Sequence, residues 1–186
     1  MAGKIILLNG ASSAGKSTLA RGLQARLDEP LWNFSIDHLK AGHVLPDARI
    51  ESGEFPWSSL REPFFQGFHR CVPALAEAGN NVVVEHIVET KQWMDGLLRL
   101  LGSLDVFFVG VHCPLPELAR RERERGDRRI GDAKRDYETT HSLCTYDFEV
   151  DTTIAPDRNV EAVIAAWRKR QRPSAFDRMA HSFASP

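Results

Sequence analysis

The chain has 186 residues, enough for one domain with a sizeable core, and 42% of them are hydrophobic. A formal net charge of −1 leaves no field for gripping a polyanion and argues against a nucleic-acid partner. No apolar run is long enough to span a bilayer, and the N-terminus lacks a signal-peptide pattern. Cys71, Cys113 and Cys144 are scattered without metal-ligand spacing, so the expectation is a soluble, cytoplasmic protein with reduced thiols and no membrane partner.

In chain order, Ile5-Ile6-Leu7-Leu8 reads as a buried strand. Directly after it, Gly10-Ala11-Ser12-Ser13-Ala14-Gly15-Lys16-Ser17 completes the pattern G-x-x-x-x-G-K-[ST], and Leu19, Leu23 and Leu27 then fall on one helical face. Strand, glycine-rich loop and helix in that order are the setting a phosphate-binding loop requires. The small residues Ala11, Ser12, Ser13 and Ala14 let successive backbone N–H groups curl round an anion, and the positive end of the new helix points at the same charge. On this reading residues 10–17, with Thr18, bind the phosphates of ATP. Lys16 reaches the β- and γ-phosphates, and the Ser17 hydroxyl ligates Mg²⁺.

Residues 31–36 read as a second strand, ended by Asp37, and residues 40–60, with Gly42, Pro46, Gly53 and Pro56, as irregular. A helix is expected over residues 61–78, with Pro63 in its first turn and Pro73 as a point of kinking. Val82-Val83-Val84 forms a buried strand ending at Glu85 and His86; a helix over 90–101 and a strand over 104–112 follow. Pro114 and Pro116 open a charged helix that runs out at Gly126. A helix over 132–143, a last strand over 148–151 and a helix over 159–170 complete the alternation, and the tail after Pro173 reads as an exposed extension. Strands and helices alternating from end to end predict an α/β domain with a parallel sheet. In such sheets ligands gather at the carboxyl ends of the strands, where Asn9, Asp37, Glu85 and His112 fall.

Each candidate has two readings. Asp37 is either the base that accepts a proton from an attacking hydroxyl or the cap of the next helix. Glu85 ends a strand where nucleotide hydrolases and kinases commonly carry an acidic residue for Mg²⁺; His86 either meets a substrate or satisfies a loop. The arginine-rich stretch from Arg120 to Gly131 fits a solvated helix up to Glu124, whereas Gly-Asp-Arg-Arg-Ile-Gly fits one poorly. That segment suggests a mobile lid at about residues 120–135, with Arg125, Arg128 and Arg129 gripping the transferring phosphoryl group. Asp151-Thr152-Thr153 forms either an ordinary connection or a loop beside adenine, with Thr153 as the contact. Phe55, Trp57, Phe64, Phe65 and Phe68 either line an acceptor pocket or fill the core.

These residues together resemble the chloramphenicol phosphotransferase family, a branch of the P-loop kinases related to shikimate and adenylate kinases. The matching stretches are residues 8–17, Asp37, residues 104–111, Arg125-Gly126-Asp127-Arg128, and Tyr146-Asp147-Phe148-Glu149-Val150-Asp151-Thr152-Thr153. The resemblance implies a three-layer P-loop kinase fold over residues 1–172, with 173–186 as a C-terminal tail. It also implies ATP- and Mg²⁺-dependent transfer to a hydroxyl of a small molecule, chloramphenicol or a related compound, with Asp37 at the position of the family's catalytic base. Glu85-His86 depart from the family pattern, and residues 41–68, which should shape the acceptor site, match it weakly. A kinase of the same fold acting on a nucleotide sugar or a polyol, and a non-catalytic nucleotide-dependent switch, are the alternatives; whether the chain is a monomer or a homo-oligomer is left open.

Overall fold

The computed structural model describes residues 1–125 and 131–184. The first apolar run forms β1 (Lys4–Asn9), the centre of a parallel five-stranded sheet. β3 (Val82–His86) and β4 (Asp105–His112) flank it, and β2 (Trp32–Ser35) and β5 (Phe148–Asp151) form the edges, giving the order β2-β3-β1-β4-β5. Successive side chains of a strand point to opposite faces. Ile5 and Leu7 therefore face one helical layer, made by α4 (Trp57–Glu77), α5 (Lys91–Leu101) and α9 (Ala175–Ala184). Ile6 and Leu8 face the other, made by α1 (Lys16–Arg26), α6 (Leu115–Arg125) and α8 (Pro156–Lys169). Burial on both faces is why β1 and β3 read as unbroken apolar runs rather than alternating ones. The three-layer α/β arrangement is the expected one. Among the described residues no helix is long and apolar enough to cross a membrane.

The chain leaving β1 crosses to β2 and the chain leaving β3 crosses to β4, in opposite directions. A crevice opens between two such adjacent strands at their carboxyl ends. Register places Leu8 beside Glu85 and Asn9 beside His86, so the polar end of β3 stands next to the loop that follows β1. Asn9 is fully buried, and its amide ties this end of the sheet together. Its Oδ1 accepts the Val88 N–H at 2.9 Å, and its Nδ2 donates to the Thr140 carbonyl at 2.9 Å and the Tyr146 hydroxyl at 2.8 Å. Gly10 has to be glycine for packing: a Cβ there would lie 2.4 Å from the Val111 carbonyl oxygen of β4.

Several elements differ from expectation. Ser35 has extended backbone and its hydroxyl accepts the His38 N–H, which starts α2 (Ile36–Ala41) at once. The second strand thus ends before Ile36, and Asp37 sits in a first helical turn, capped by Ser35 rather than acting as the cap. Residues 40–60 are not wholly irregular, because Pro46 and Pro56 precede α3 (Asp47–Glu51) and α4 instead of merely breaking the chain. Starting at Trp57, α4 carries Pro63 in its interior, not in its first turn. The helix expected over 132–143 stops sooner, as α7 (Asp132–Thr139).

The segment after Pro173 is not an exposed extension. It forms α9, whose Phe176 is 1% exposed and meets Phe108 of β4 edge-on with ring centroids 5.7 Å apart. Asp147 fastens the start of this helix, accepting the N–H of Ala175 with one oxygen and that of Phe108 with the other. Phe176, Met179, Ala180 and Phe183 recur at helical spacing and face the core; that stripe was visible in the sequence. Replacing a buried phenylalanine by alanine typically costs about 3–5 kcal/mol. Phe176→Ala should therefore lower the urea midpoint of unfolding sharply, whereas an exposed tail would leave it unchanged.

Candidate active site

The loop between β1 and α1 is curled by two residues with positive φ, Ser13 at 63° and Gly15 at 96°. Gly15 tolerates that conformation because it has no Cβ. Lys16, the first residue of α1, folds its side chain back so that Nζ donates to the carbonyls of Gly10 at 2.7 Å and Ala11 at 2.8 Å. The loop is thus held as a ring round an ammonium group, at a helix N-terminus, which together form an anion site. Ser13 Oγ is buried and has no hydrogen-bond partner among the described residues. Ser17 Oγ donates to Glu85 Oε2 at 2.6 Å. A hydroxyl and a carboxylate brought together in this way are hard oxygen donors that fit Mg²⁺, which takes few protein ligands and keeps several waters. Among the described residues no cluster of three or more His, Cys, Asp or Glu is placed to hold a metal by itself.

The loop lies in a cleft of about 940 Å³. Ser12 to Thr18 line it, as do Asp37 and Lys40 of α2 and Trp57, Arg61 and Phe65 of α4. Asp37 and the phosphate loop therefore share one cavity although β3 separates their strands. Arg61 pairs with Glu89 at 2.6 Å and lies over the rings of Phe65 and Trp93. Lys40 Nζ stands 5.3 Å from the Trp57 ring centroid. The aromatic cluster is divided: Trp57 and Phe65 line the cleft, Phe68 stacks on Phe34 in the core, and Phe55 lies under Arg49.

His86 also lines the cleft, but its imidazole is turned to His69 of α4, with the two Nε2 atoms 2.6 Å apart. One ring must donate and the other accept, so the two cannot both be charged. Burial pushes His69 down to about 4, opposed by the charge of Glu62. Burial likewise holds His86 well below the usual imidazole range, with repulsion from His69 and Lys16 adding to it.

The opposite wall comes from α6, α7 and the chain after β5. Arg125 lines the cleft at the end of α6, whereas Arg128 and Arg129 lie outside the described residues. Arg121, which sequence reasoning had left on a solvated helix face, is drawn inward. It donates to the Thr152 hydroxyl at 3.0 Å and the Thr152 carbonyl at 2.7 Å while pairing with Glu117. Thr152 and Ile154 line the cleft there; Thr153, the expected contact, instead gives its hydroxyl and its N–H to Asp151. The Asp151 carboxylate, first in an Asx-type turn, captures that side chain locally. Arg135 and Asp136 of α7 also line the cleft and were not singled out from the sequence. No local pattern marks them, because the contact that buries Asp136 is with Ser12, 124 residues away in the chain. His112, at the end of β4, pairs with Glu149 at 2.6 Å and is not among the residues lining the cleft.

A parallel sheet in the order 2-3-1-4-5 with a phosphate loop after its central strand defines a P-loop kinase fold, and solved structures share it. The APS kinase CysC of Mycobacterium tuberculosis, in complex with AMPPNP and APS, superposes with a TM-score of 0.67 at 18% identity, covering 90% of this chain and 98% of that one. A gluconokinase from Sinorhizobium meliloti gives 0.60 at 18% identity over 99% and 98% of the two chains. Shikimate kinase from Aquifex aeolicus gives 0.54 at 16% identity over 88% and 94%. The chain belongs to the chloramphenicol phosphotransferase-like family, whose model matches residues 3–168. Its curated relatives include the Mycobacterium tuberculosis H37Rv protein named "Putative O-phosphotransferase Rv2636", 32% identical over 98% of this chain and 90% of that protein.

The histidine pair makes stability depend on pH. In the unfolded chain both rings bind protons below about pH 6.5, whereas the folded pair stays neutral. The unfolded state then holds more protons, so stability falls as the pH drops from about 6.5 towards 4. Chemical unfolding measured at pH 7 and pH 5 should show a loss of about 2 kcal/mol from each ring, about 4 kcal/mol from the pair. The loss should shrink in His69→Phe, and an unchanged pH slope in that variant would count against the neutral pair.

Proposed function

We propose that this protein is an ATP-dependent O-phosphotransferase that moves a γ-phosphoryl group to the hydroxyl of a small molecule. One observation carries the reading: Asp37 lines the same cleft as the phosphate loop with Lys16, Ser17 and Glu85. A volume of about 940 Å³ lies within the range of small-molecule sites, and its acceptor side presents Trp57 and Phe65 with Lys40 and Arg61. Family membership as a phosphotransferase, and neighbours named for APS, gluconate and shikimate chemistry, support the same reaction class.

In this reading the loop amides and Lys16 hold the phosphates. Asp37 accepts the acceptor's hydroxyl proton as its oxygen bonds to the γ-phosphorus and the bond to the ADP oxygen breaks. Ser17 and Glu85 would hold Mg²⁺, which supplies neutralisation of phosphate charge. Arg125, with Arg128 and Arg129 on the lid, would stabilise the negative charge spread over the transferring group. The acceptor is proposed as a small hydroxyl compound, with chloramphenicol, nucleotide sugars and polyols as the first to be screened.

Mass spectrometry of a hydroxyl-compound panel incubated with ATP and Mg²⁺ should show gain of one phosphoryl group on at least one member. Asp37→Asn should bind ATP as the parent does yet turn over about a hundred- to ten-thousand-fold more slowly, the range for loss of a general base. Equal turnover would remove Asp37 from the reaction. Lys16→Ala should lose both nucleotide binding and transfer; retention of ATP affinity in that variant would contradict the role given to the loop.

A further inference from the structure

Asp136 is a carboxylate with 1% exposure on α7, a helix whose other polar side chains mostly face water. A charge buried that deeply is costly unless it is paired and hydrogen-bonded. Both of its oxygens are used, and they reach in different directions. Oδ2 accepts the backbone N–H of Ser12, inside the phosphate loop, at 3.1 Å. Oδ1 accepts Nη2 and Nε of Arg135 at 2.8 and 3.2 Å. Adjacent residues on a helix do not normally face each other. Arg135 must fold back across its own neighbour to make this contact, and Asp132 holds its other edge, accepting from Nη1 at 2.9 Å.

The helix carrying the pair is itself anchored. Glu122 of α6, 4% exposed, accepts the N–H groups of Gly131 at 2.9 Å and Ala133 at 2.8 Å, capping α7 from another element. The donor at Gly131, foremost, holds the Glu122 carboxyl below the usual range despite its burial. The position of Arg135 in the cleft follows from its neighbours. Arg135 is bound through Asp136 to the phosphate loop, and it lines the same cleft as Arg61 and its partner Glu89. Arg121, by contrast, is fastened to Thr152 beyond the far side of the loop.

We propose that Asp136 is a positioning residue: it ties the phosphate loop to Arg135 and holds that guanidinium in the cleft beside the loop, where it contacts the γ-phosphate of the bound nucleotide. This rests on the phosphate-loop reading above. Arg135 then joins the reaction from a well-anchored helix, independent of the arginines at residues 125–129. Asp136 makes the loop and the guanidinium one rigid unit, so that a nucleotide seated on the amides meets a preset charge.

Titration calorimetry with Mg²⁺ and either ADP or AMPPNP tests this without an acceptor, on the full chain and on Asp136→Asn, Arg135→Gln and the double variant. Each single variant should keep its ADP affinity and bind AMPPNP about tenfold more weakly, as expected for one charge-assisted hydrogen bond lost. The double variant should bind AMPPNP no more weakly than either single one, since both changes remove the same contact. A brace acting on the loop alone would weaken ADP and AMPPNP equally, or give additive losses, and either result overturns the proposal. Should Asp136→Asn fail to fold, Arg135→Gln decides by itself: a loss confined to AMPPNP upholds the assignment and an equal loss overturns it. Failure of the unmodified chain to bind either nucleotide is a different result; it would overturn the phosphate-loop reading and this inference with it.

Discussion

The buried amide of Asn9 is the constraint on which the site depends. It ends the central strand, and its donors and acceptor reach Val88 after β3, Thr140 after α7 and Tyr146 before β5. Three segments distant in sequence are thus hung from one side chain just before the phosphate loop starts. A buried amide with its hydrogen bonds made is stable, whereas leaving several such partners unpaired costs the desolvation of each. Gly10, the next residue, then turns against the Val111 carbonyl with no room for a side chain. The loop geometry is set by these contacts before any ligand arrives.

From that point the cleft divides by charge. On the wall formed by α4 the Arg61–Glu89 pair lies against the rings of Phe65 and Trp93, an arrangement that screens charge while leaving a flat, partly apolar surface. Behind it the His69–His86 pair is kept neutral by burial, which puts no extra positive charge next to Lys16. On the other wall guanidinium groups are each fixed by carboxylates: Arg121 by Glu117, Arg135 by Asp132 and Asp136. Preset dipoles and charges of this kind need little reorganisation when charge moves, which is what phosphoryl transfer asks of a protein.

Legibility in the sequence followed locality. The phosphate loop, the strands flanking it and Glu85 were readable because their signals lie within one strand–loop–helix unit or one apolar run. Asp37 was readable as a residue of the cleft, but its secondary structure was not, since a single hydroxyl at Ser35 converts the strand end into α2. The turn at Thr153 was not readable, because Asp151 captures its side chain while Thr152 and Ile154 line the cleft. Arg121, Glu122, Arg135 and Asp136 sit in a charge-rich stretch where solvated ion pairs and buried ones look alike. The C-terminal helix was missed for a different reason: its apolar stripe was present, but Pro173 and the polar residues before it suggested an ending.

The sequence by itself determined that this chain has a phosphate loop on a parallel α/β sheet, because periodicity and a short glycine-rich motif are local properties of the chain. Only the tertiary structure decided which charges face the cleft and which face water. Residues as far apart as Ser12 and Asp136, Arg121 and Thr152, or Arg61 and Glu89 meet through the crossing of strands. Burial of a carboxylate beside a backbone N–H is a property of that crossing, and no pattern along the chain encodes it.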